Sequence, residues 1–529
     1  MPSVEREHGE HAGPDDVEHE INGRPGREQP QLVQPEAGEH EHGAGELDEL
    51  KHSAFTVGLG AHRILGSWDT IAVEELGLAE LCDALRLRRL SVTEALDAVL
   101  RRADAIEPLH PFICRLDDEA RRAAAASDAR IANGTGRSME GLPITVKDVI
   151  WMRGTPSPDG SLAREGFVAP ETSPAVQRLL DAGCIVVAKT ANPEYCWSPT
   201  TYSPLHGVTT NPWDPERTSG GSSGGAAVAT ACGAGVFGLG TDAGGSIRQP
   251  SALCGLVGFK PSYGVVADVP RATAYWSLST IGPLARTVAD ATIVTMAIAH
   301  PDPVDRLSVA IERVPSGEEP DLRGRRLLVC EDFDGEFDVD TSVRAVFRRA
   351  LNRLADAGAE ILDEPLRLRS GLELWYRLGR AEMAAYSAEA TDDRSLLSPE
   401  VRAALEEADE AAPSDYALAQ RERNEYARRF HERLAEAGAD ALVMPTLEVE
   451  AWPAELRFPD RINGSECSED ETAHHLMAAN LAGCPALTIP CGLGGAGLPV
   501  GLQLVGPRMS DWRLLSLGAA VERTLAPPR

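Results

Sequence analysis

Thr218-Ser219-Gly220-Gly221-Ser222-Ser223-Gly224-Gly225 is followed, after a run of small residues, by Gly240-Thr241-Asp242-Ala243-Gly244-Gly245-Ser246-Ile247-Arg248. Two loops rich in glycine and serine thus flank a small-residue helix and a short apolar strand. Glycine permits positive φ and lets backbone N–H groups approach a ligand, while serine supplies hydroxyls. A phosphate cradle fits poorly, because neither G-x-x-x-x-G-K-[ST] nor G-x-G-x-x-G ahead of a helix is present. A hydrolase nucleophile elbow fits poorly too, since the order around Ser246 is Gly-Gly-Ser-Ile-Arg and not G-x-S-x-G.

A serine nucleophile needs a base, and the histidines outside the N-terminal segment (His62, His110, His206, His300, His431, His474, His475) have no sequence link to either loop. Lysine is the alternative. Only four of the 51 Lys and Arg residues are lysines: Lys51, Lys147, Lys189 and Lys260. Where arginine is the default cation, each remaining lysine marks a place that rejects a guanidinium or needs an amine able to lose its proton. Lys147 ends the apolar run Gly141-Leu142-Pro143-Ile144-Thr145-Val146-Lys147-Asp148, a strand that would carry its amine into the interior. Burial disfavours the ammonium form, and a neutral amine can accept a proton from a serine.

These residues resemble the amidase signature family. Gly220 to Ser251 fits that family's signature almost throughout, and similar blocks recur at Gly141 to Asp148, Ala188-Lys189-Thr190, Gly207 to Pro212, Cys254 to Gly264, Gly282 to Asp290, Asn480 to Pro490 and Pro499 to Gly506. The resemblance implies a Ser-Ser-Lys triad in which Ser246 attacks the carbonyl, Ser222 relays its proton and neutral Lys147 is the base. It also implies a cis peptide between Gly221 and Ser222, and an oxyanion hole from the backbone N–H groups of Ala243, Gly244, Gly245 and Ser246. Gly221, Ser223, Asp242 and Arg248 are then supports of the loops, and Lys189 and Lys260 pack without a catalytic role. Ser219, where the family commonly has proline, and Ala226, where a small hydroxyl residue is frequent, depart from the pattern without removing a catalytic group. Cys196, beside Trp197, reads as a pocket-wall or core thiol and not a nucleophile.

Working outward, residues 1–52 are rich in Glu, Asp, His, Gly, Pro and Gln and nearly devoid of large apolar side chains. Such a segment cannot bury enough surface to offset chain entropy, so an acidic disordered tail is expected. Its histidines (His8, His11, His19, His40, His42, His52) are too irregularly spaced for a metal site. Apolar residues at helical spacing predict helices over 73–85, 91–106 and 117–132, the second opened by Ser91 with Glu94 three residues on. This makes 71–135 a helical entry region. Short β-rich runs at 143–147, 184–189, 236–241, 256–259, 326–331, 442–444, 486–490 and 501–505 alternate with amphipathic helices. That pattern predicts an α/β fold with a central sheet covered by helices on both faces. The resemblance implies one large domain over 53–529 with a mixed sheet, and 340–440 reads as a helical excursion.

The chain has 529 residues and a net charge of −30, with 43% hydrophobic residues, so a sizeable core is available. The acidic excess leaves no surplus cation for phosphates. No nucleic acid and no membrane partner is expected, only a small-molecule amide, with homodimerisation left open. Ten cysteines lack C-x-x-C or zinc-site spacing, and the N-terminus lacks a signal peptide, so a reducing cytoplasm is expected. The family implies no metal and no organic cofactor. The leading expectation is hydrolysis of a linear carboxamide to a carboxylate and ammonia or an amine. The alternative is the amidase (A) subunit of a glutamine-dependent aminoacyl-tRNA amidotransferase, which the Cys196-Trp197-Ser198-Pro199 segment does not closely resemble. Thr155 to Ser161, Tyr195 to Trp197 and Tyr275-Trp276 are expected to shape the pocket, without choosing aryl over aliphatic amides or excluding carbamates and ureas.

Overall fold

The computed structural model describes residue 73 and residues 76–270, 273–311, 321–467 and 472–526. The acidic tail therefore lies outside the described residues. Within them, fifteen strands run in chain order: β1 Phe112–Arg115, β2 Pro143–Lys147, β3 Ile185–Thr190, β4 Tyr202–Ser203, β5 Gly207–Val208, β6 Gly238–Asp242, β7 Val257–Lys260, β8 Thr280–Ala285, β9 Arg326–Val329, β10 Glu360–Leu362, β11 Ala441–Pro445, β12 Arg461–Ile462, β13 Ser465–Glu466, β14 Ala486–Leu493 and β15 Pro499–Val505. Eleven form one sheet in the order β1-β3-β2-β6-β8-β7-β14-β15-β11-β9-β10. The sheet is mixed: β2 lies parallel to β3 and β6, whereas β6–β8, β7–β14 and β14–β15 are antiparallel.

Helices cover both faces, and β11 shows why its sequence is apolar throughout. Ala441 and Val443 join a core with Phe347, Leu354, Leu514 and Val521 from helices Thr341–Asp356 and Asp511–Leu525. Leu442 and Met444 join the opposite core with Phe430, Leu434 and Ala478 from helices Pro413–Ala437 and His474–Leu481. A strand buried on both sides has no polar face to alternate with. The same holds for β2, whose five residues are all buried, the last being Lys147.

Local signals act as expected in the entry region. Helix Val92–Ala105 opens with Ser91 Oγ accepting from the Glu94 N–H at 3.1 Å, while Glu94 Oε2 accepts from the Ser91 N–H at 2.9 Å. Such a box stabilises a helix start by about 0.5–2 kcal/mol. Three sheet strands depart from the sequence-based expectation. β8 contains Gly282-Pro283, which reads as a chain breaker, yet Pro283 is buried in the sheet opposite Leu239. β1 and β10 are the two edges, four and three residues long, too short to carry a period. β10 also interrupts the stretch 340–440 expected to be a helical excursion.

The sheet brings the site together. β2 delivers Lys147 at its C-terminal end, and β6, beside it, ends at Asp242 where the second glycine loop begins. Helix Gly224–Ala231 starts directly after Ser222-Ser223 and consists only of Gly, Ala, Val and Thr. Its small side chains let the backbone approach neighbouring chain. A Cβ on Gly225 would collide with backbone atoms of Pro111 and Ala191.

Candidate active site

Lys147 is fully buried, and its Nζ donates to Ser222 Oγ at 2.7 Å and to Thr241 Oγ1 at 2.9 Å. Burial is the dominant influence on the amine and lowers its pKa, opposed by the Cys196 thiol, Asp159 and Asp242. Thr241, on β6, carries no sequence signal of its own. It lies within the quoted glycine and serine stretch, but only strand β6 lying beside β2 brings its hydroxyl to Lys147.

Ser222 is sealed from solvent, whereas Ser246 is only partly buried. The Gly221–Ser222 peptide is cis. The two loops are tied together by the Ser223 N–H donating to the Ser246 carbonyl at 3.1 Å and by Ser223 Oγ donating to the Thr241 carbonyl at 3.3 Å. The structure thus brings Lys147, Ser222, Ser223 and Ser246 into one place.

Asp242 and Arg248 form a fully buried two-pronged pair, with Arg248 Nε donating to Oδ2 and Nη2 to Oδ1, each at 2.9 Å. Arg248 further donates to the Leu476 carbonyl, Gln503 Oε1 and Asn480 Oδ1, and Asn480 Nδ2 returns a bond to Asp242 Oδ1 at 3.0 Å. Burial alone would push the Asp242 carboxyl up, but the Arg248 charge and hydrogen bonds outweigh it and hold the carboxyl well below the usual carboxylate range. The pair knots the second glycine loop to helix His474–Leu481 and strand β15.

That knot changes the set of free amides. The Gly245 N–H donates to Asp242 Oδ1 at 2.8 Å, so Gly245 differs from its expected place among the oxyanion donors. Among the described residues, the N–H groups of Ala243, Gly244 and Ser246 donate to no protein acceptor. Gly245 itself adopts φ +104°, and a side chain there would strike Leu476.

An aromatic wall stands against this loop. The Trp375 indole N–H donates to the Ala243 carbonyl at 2.7 Å, and Trp375 stacks on Trp197 with ring centroids 5.7 Å apart. Tyr275 lies 6.2 Å from Trp197 and donates its hydroxyl to the Tyr195 carbonyl at 3.0 Å. Tyr195, Trp197 and Tyr275 are thus gathered as expected, but Trp276 turns away to meet Tyr416. Sequence reasoning misses Trp375, since it comes from helix Leu372–Ala390 in the charged stretch expected to be a solvated excursion.

Lys189 donates to the Asp148 and Ile150 carbonyls at 2.7 and 2.6 Å, and Lys260 donates to the Pro261 carbonyl at 2.9 Å. Burial lowers each to about 8. Both brace backbone. Among the described residues no group of three or more His, Cys, Asp and Glu side chains is placed to hold a metal ion, and no helix is long and apolar enough to cross a membrane.

Residues 94–515 match the family model described as Amidase. The A subunit of the glutamyl-tRNA(Gln) amidotransferase of Cyanothece sp. is 33% identical over 475 residues, covering 84% of this chain and 97% of the relative. A solved amidase is 33% identical with a TM-score of 0.76, covering 85% of this chain and all of that one. The solved A subunit of the Thermotoga maritima glutamyl-tRNA(Gln) amidotransferase is 26% identical with a TM-score of 0.71, covering 87% and 99%. These likenesses overturn the expectation of a small-molecule amide as sole partner with no nucleic acid in view. Relatives matched along nearly their whole length are subunits of an enzyme named for a tRNA. A net charge of −30 bears on direct phosphate contact, and is silent on work done within a larger assembly.

Proposed function

Because the chain belongs to the amidase signature family and is a hydrolase of C–N bonds, we propose that it cleaves a primary carboxamide through an acyl-enzyme on Ser246, as the amidase component of a glutamine-dependent amidotransferase. In this setting glutamine is the amide, and the ammonia released passes to a partner protein that acts on an aminoacyl-tRNA. The curated relatives support the setting, and the buried 2.7 Å contact between Lys147 Nζ and Ser222 Oγ carries the chemistry.

Neutral Lys147 takes the Ser222 proton as Ser222 takes that of Ser246, and Ser246 Oγ bonds to the carbonyl carbon. In the neutral amine Thr241 Oγ1 still takes one hydrogen, and the 2.7 Å contact reverses so that the Ser222 hydroxyl donates to the Nζ lone pair. Charge on the carbonyl oxygen is met by the N–H groups of Ala243, Gly244 and Ser246, each of value on the order of 10²–10³ in kcat if it resembles other oxyanion donors. The C–N bond then breaks as the proton returns through Ser222 to the nitrogen, which leaves as ammonia. Water, deprotonated by the same relay, attacks the acyl carbon, releasing the carboxylate and restoring Ser246. Asp242, Arg248, Gly221 and Ser223 support the loops.

The test is ammonia release from glutamine by the full chain, alone and with its co-purified partner proteins, beside Ser246→Ala and Lys147→Ala. Comparable turnover by Ser246→Ala would falsify the acyl-enzyme. A second reading, a stand-alone amidase for an apolar acyl group, is favoured by the Trp197–Trp375–Tyr275 wall. Turnover of aryl or long alkyl amides without any partner, exceeding that of glutamine, would establish it instead.

A further inference from the structure

Asp159 lies beside the triad and has no part in the chemistry just described. It is 2% exposed and sits at φ +55°, in the left-handed region uncommon for a residue other than glycine. Its Oδ1 accepts from Asn192 Nδ2 at 3.2 Å and from the Cys196 thiol at 4.0 Å. Its Oδ2 is equally buried and accepts no hydrogen bond from any described residue. Burial and the neighbouring Asp148 charge push the Asp159 carboxyl well above the usual carboxylate range, so the unpartnered oxygen keeps its proton until a cation arrives to ionise and pair with it.

The surroundings narrow what that cation is. Arg164 is the nearby cation, yet its guanidinium lies over Phe167, 4.4 Å from the ring centroid, and 5.4 Å from that of Tyr386. Tyr386 packs edge-on against Tyr195 at 5.5 Å, and its hydroxyl is near Asp159 without closing a bond of normal length to Oδ2. Lys147, Asp148, Cys196 and Tyr275 complete the polar groups whose charge Asp159 feels or affects. A carboxyl with a tyrosine hydroxyl beside it suits a compact ammonium, which gains an ion pair and a second hydrogen-bond acceptor.

We propose that Asp159 is a specificity residue that binds an amino group on the acyl part of the substrate, through the Oδ2 that the protein leaves unpartnered. The amides accepted are then amino-substituted ones, of which an amino-acid amide is the simplest class. This rests on the amide-hydrolase reading above and deepens it. Cys196 donates to Asp159 Oδ1 at 4.0 Å and interacts with Lys147 and Ser222 as well, so Asp159 lies beside the triad with no hydrogen bond of its own to it.

The test uses ω-amino alkanamides of increasing length, each paired with the amide that carries a methyl in place of the ammonium, together with glutamine and its deamino analogue. On the full chain, kcat/KM is expected to favour the ammonium member of at least one pair by about tenfold or more, as a charge-assisted bond gives elsewhere. Asp159→Asn should collapse that ratio toward one. Absence of the preference in the native chain, or a ratio left unchanged by Asp159→Asn even if both rates fall, overturns the proposal. Binding of the same pairs to Ser246→Ala, measured by calorimetry, separates the two readings. Preferential binding of the ammonium member without turnover by the native chain sinks the hydrolase and keeps the subsite, while turnover without preference does the reverse.

Discussion

The indole N–H of Trp375 donates to the carbonyl oxygen of Ala243 at 2.7 Å, so the peptide unit joining Ala243 to Gly244 is held from its carbonyl side. The N–H of that unit belongs to Gly244, one of the proposed oxyanion donors, and points the opposite way. A donor on the carbonyl polarises the amide and fixes its plane. Trp375→Phe keeps the ring on Trp197 but removes the bond. We expect kcat to fall about tenfold on the scale of one lost hydrogen bond, with a stability loss of about 1–3 kcal/mol from the unpaired buried carbonyl. Steady-state kinetics beside urea unfolding read both, and a fall in stability with unchanged kcat would remove Trp375 from any influence on the oxyanion site.

Activity should rise with pH along a limb set by Lys147. Burial lowers the pKa of this amine, so the neutral, proton-accepting form persists further down in pH than for an exposed lysine. As pH falls through the lowered value the amine is protonated and turnover is lost; above it the rate levels off. The stability effect has the matching sign. Between the lowered value and the ordinary lysine value of about 10.4, the unfolded chain binds the extra proton, so stability increases with pH in that window. A pH–rate profile with no acidic limb, or one that Lys147→Ala leaves in place on residual activity, would reject the neutral lysine.

The Asp242–Arg248 pair predicts acid sensitivity. Asp242 is held well below the usual carboxylate range, so its contribution is complete above the unfolded value of about 3.9 and is lost as pH drops toward the folded one. Asp242→Ala should cost about 3–5 kcal/mol, since it leaves the Arg248 guanidinium buried and unpaired. The double variant Asp242→Ala with Arg248→Met should recover part of the loss. Urea midpoints from about pH 6 down to about pH 2 supply the measurement, and equal losses in single and double variants would mean that the unpaired guanidinium is not the source of the loss.

What can be read from the sequence, and what cannot, divides along the range of the interaction. β2, β3 and β11 are legible because strands buried on both sides are unbroken apolar runs. β8 is hidden by Gly282-Pro283, and its place in the sheet depends on β6 and β7, which flank it. That Lys147 and Ser222 meet, with the Ser246 loop tied beside them, agrees with the motif and the resemblance. Trp375 and Thr241 are not legible, since each acts across a gap that only the folded chain closes. The Gly245 amide escapes its expected role for the same reason: the Asp242 side chain three residues earlier claims it. Charge misleads about partners because it reports on a chain's own surface, whereas the relatives' work is done in an assembly.

Gly245 offers the narrowest test of how tightly the loop carrying Ser246 is held. At φ +104° any L side chain is strained, by roughly 1–3 kcal/mol, and a Cβ there would also run into Leu476. Gly245→Ala should therefore lower stability by more than strain alone and displace Ser246 next to it, reducing kcat by about tenfold or more on the argument that small misplacements cost about 10²-fold. Leu476→Ala in the same chain separates the two causes, because it removes the contacts with Leu476 Cδ1 and Cγ, leaving the Leu476 Cβ at 2.9 Å beside the backbone strain. Partial recovery of kcat in the double variant is the expected result. If the double variant recovers nothing, the left-handed backbone, and not the packing of Leu476, is what holds Ser246 in place.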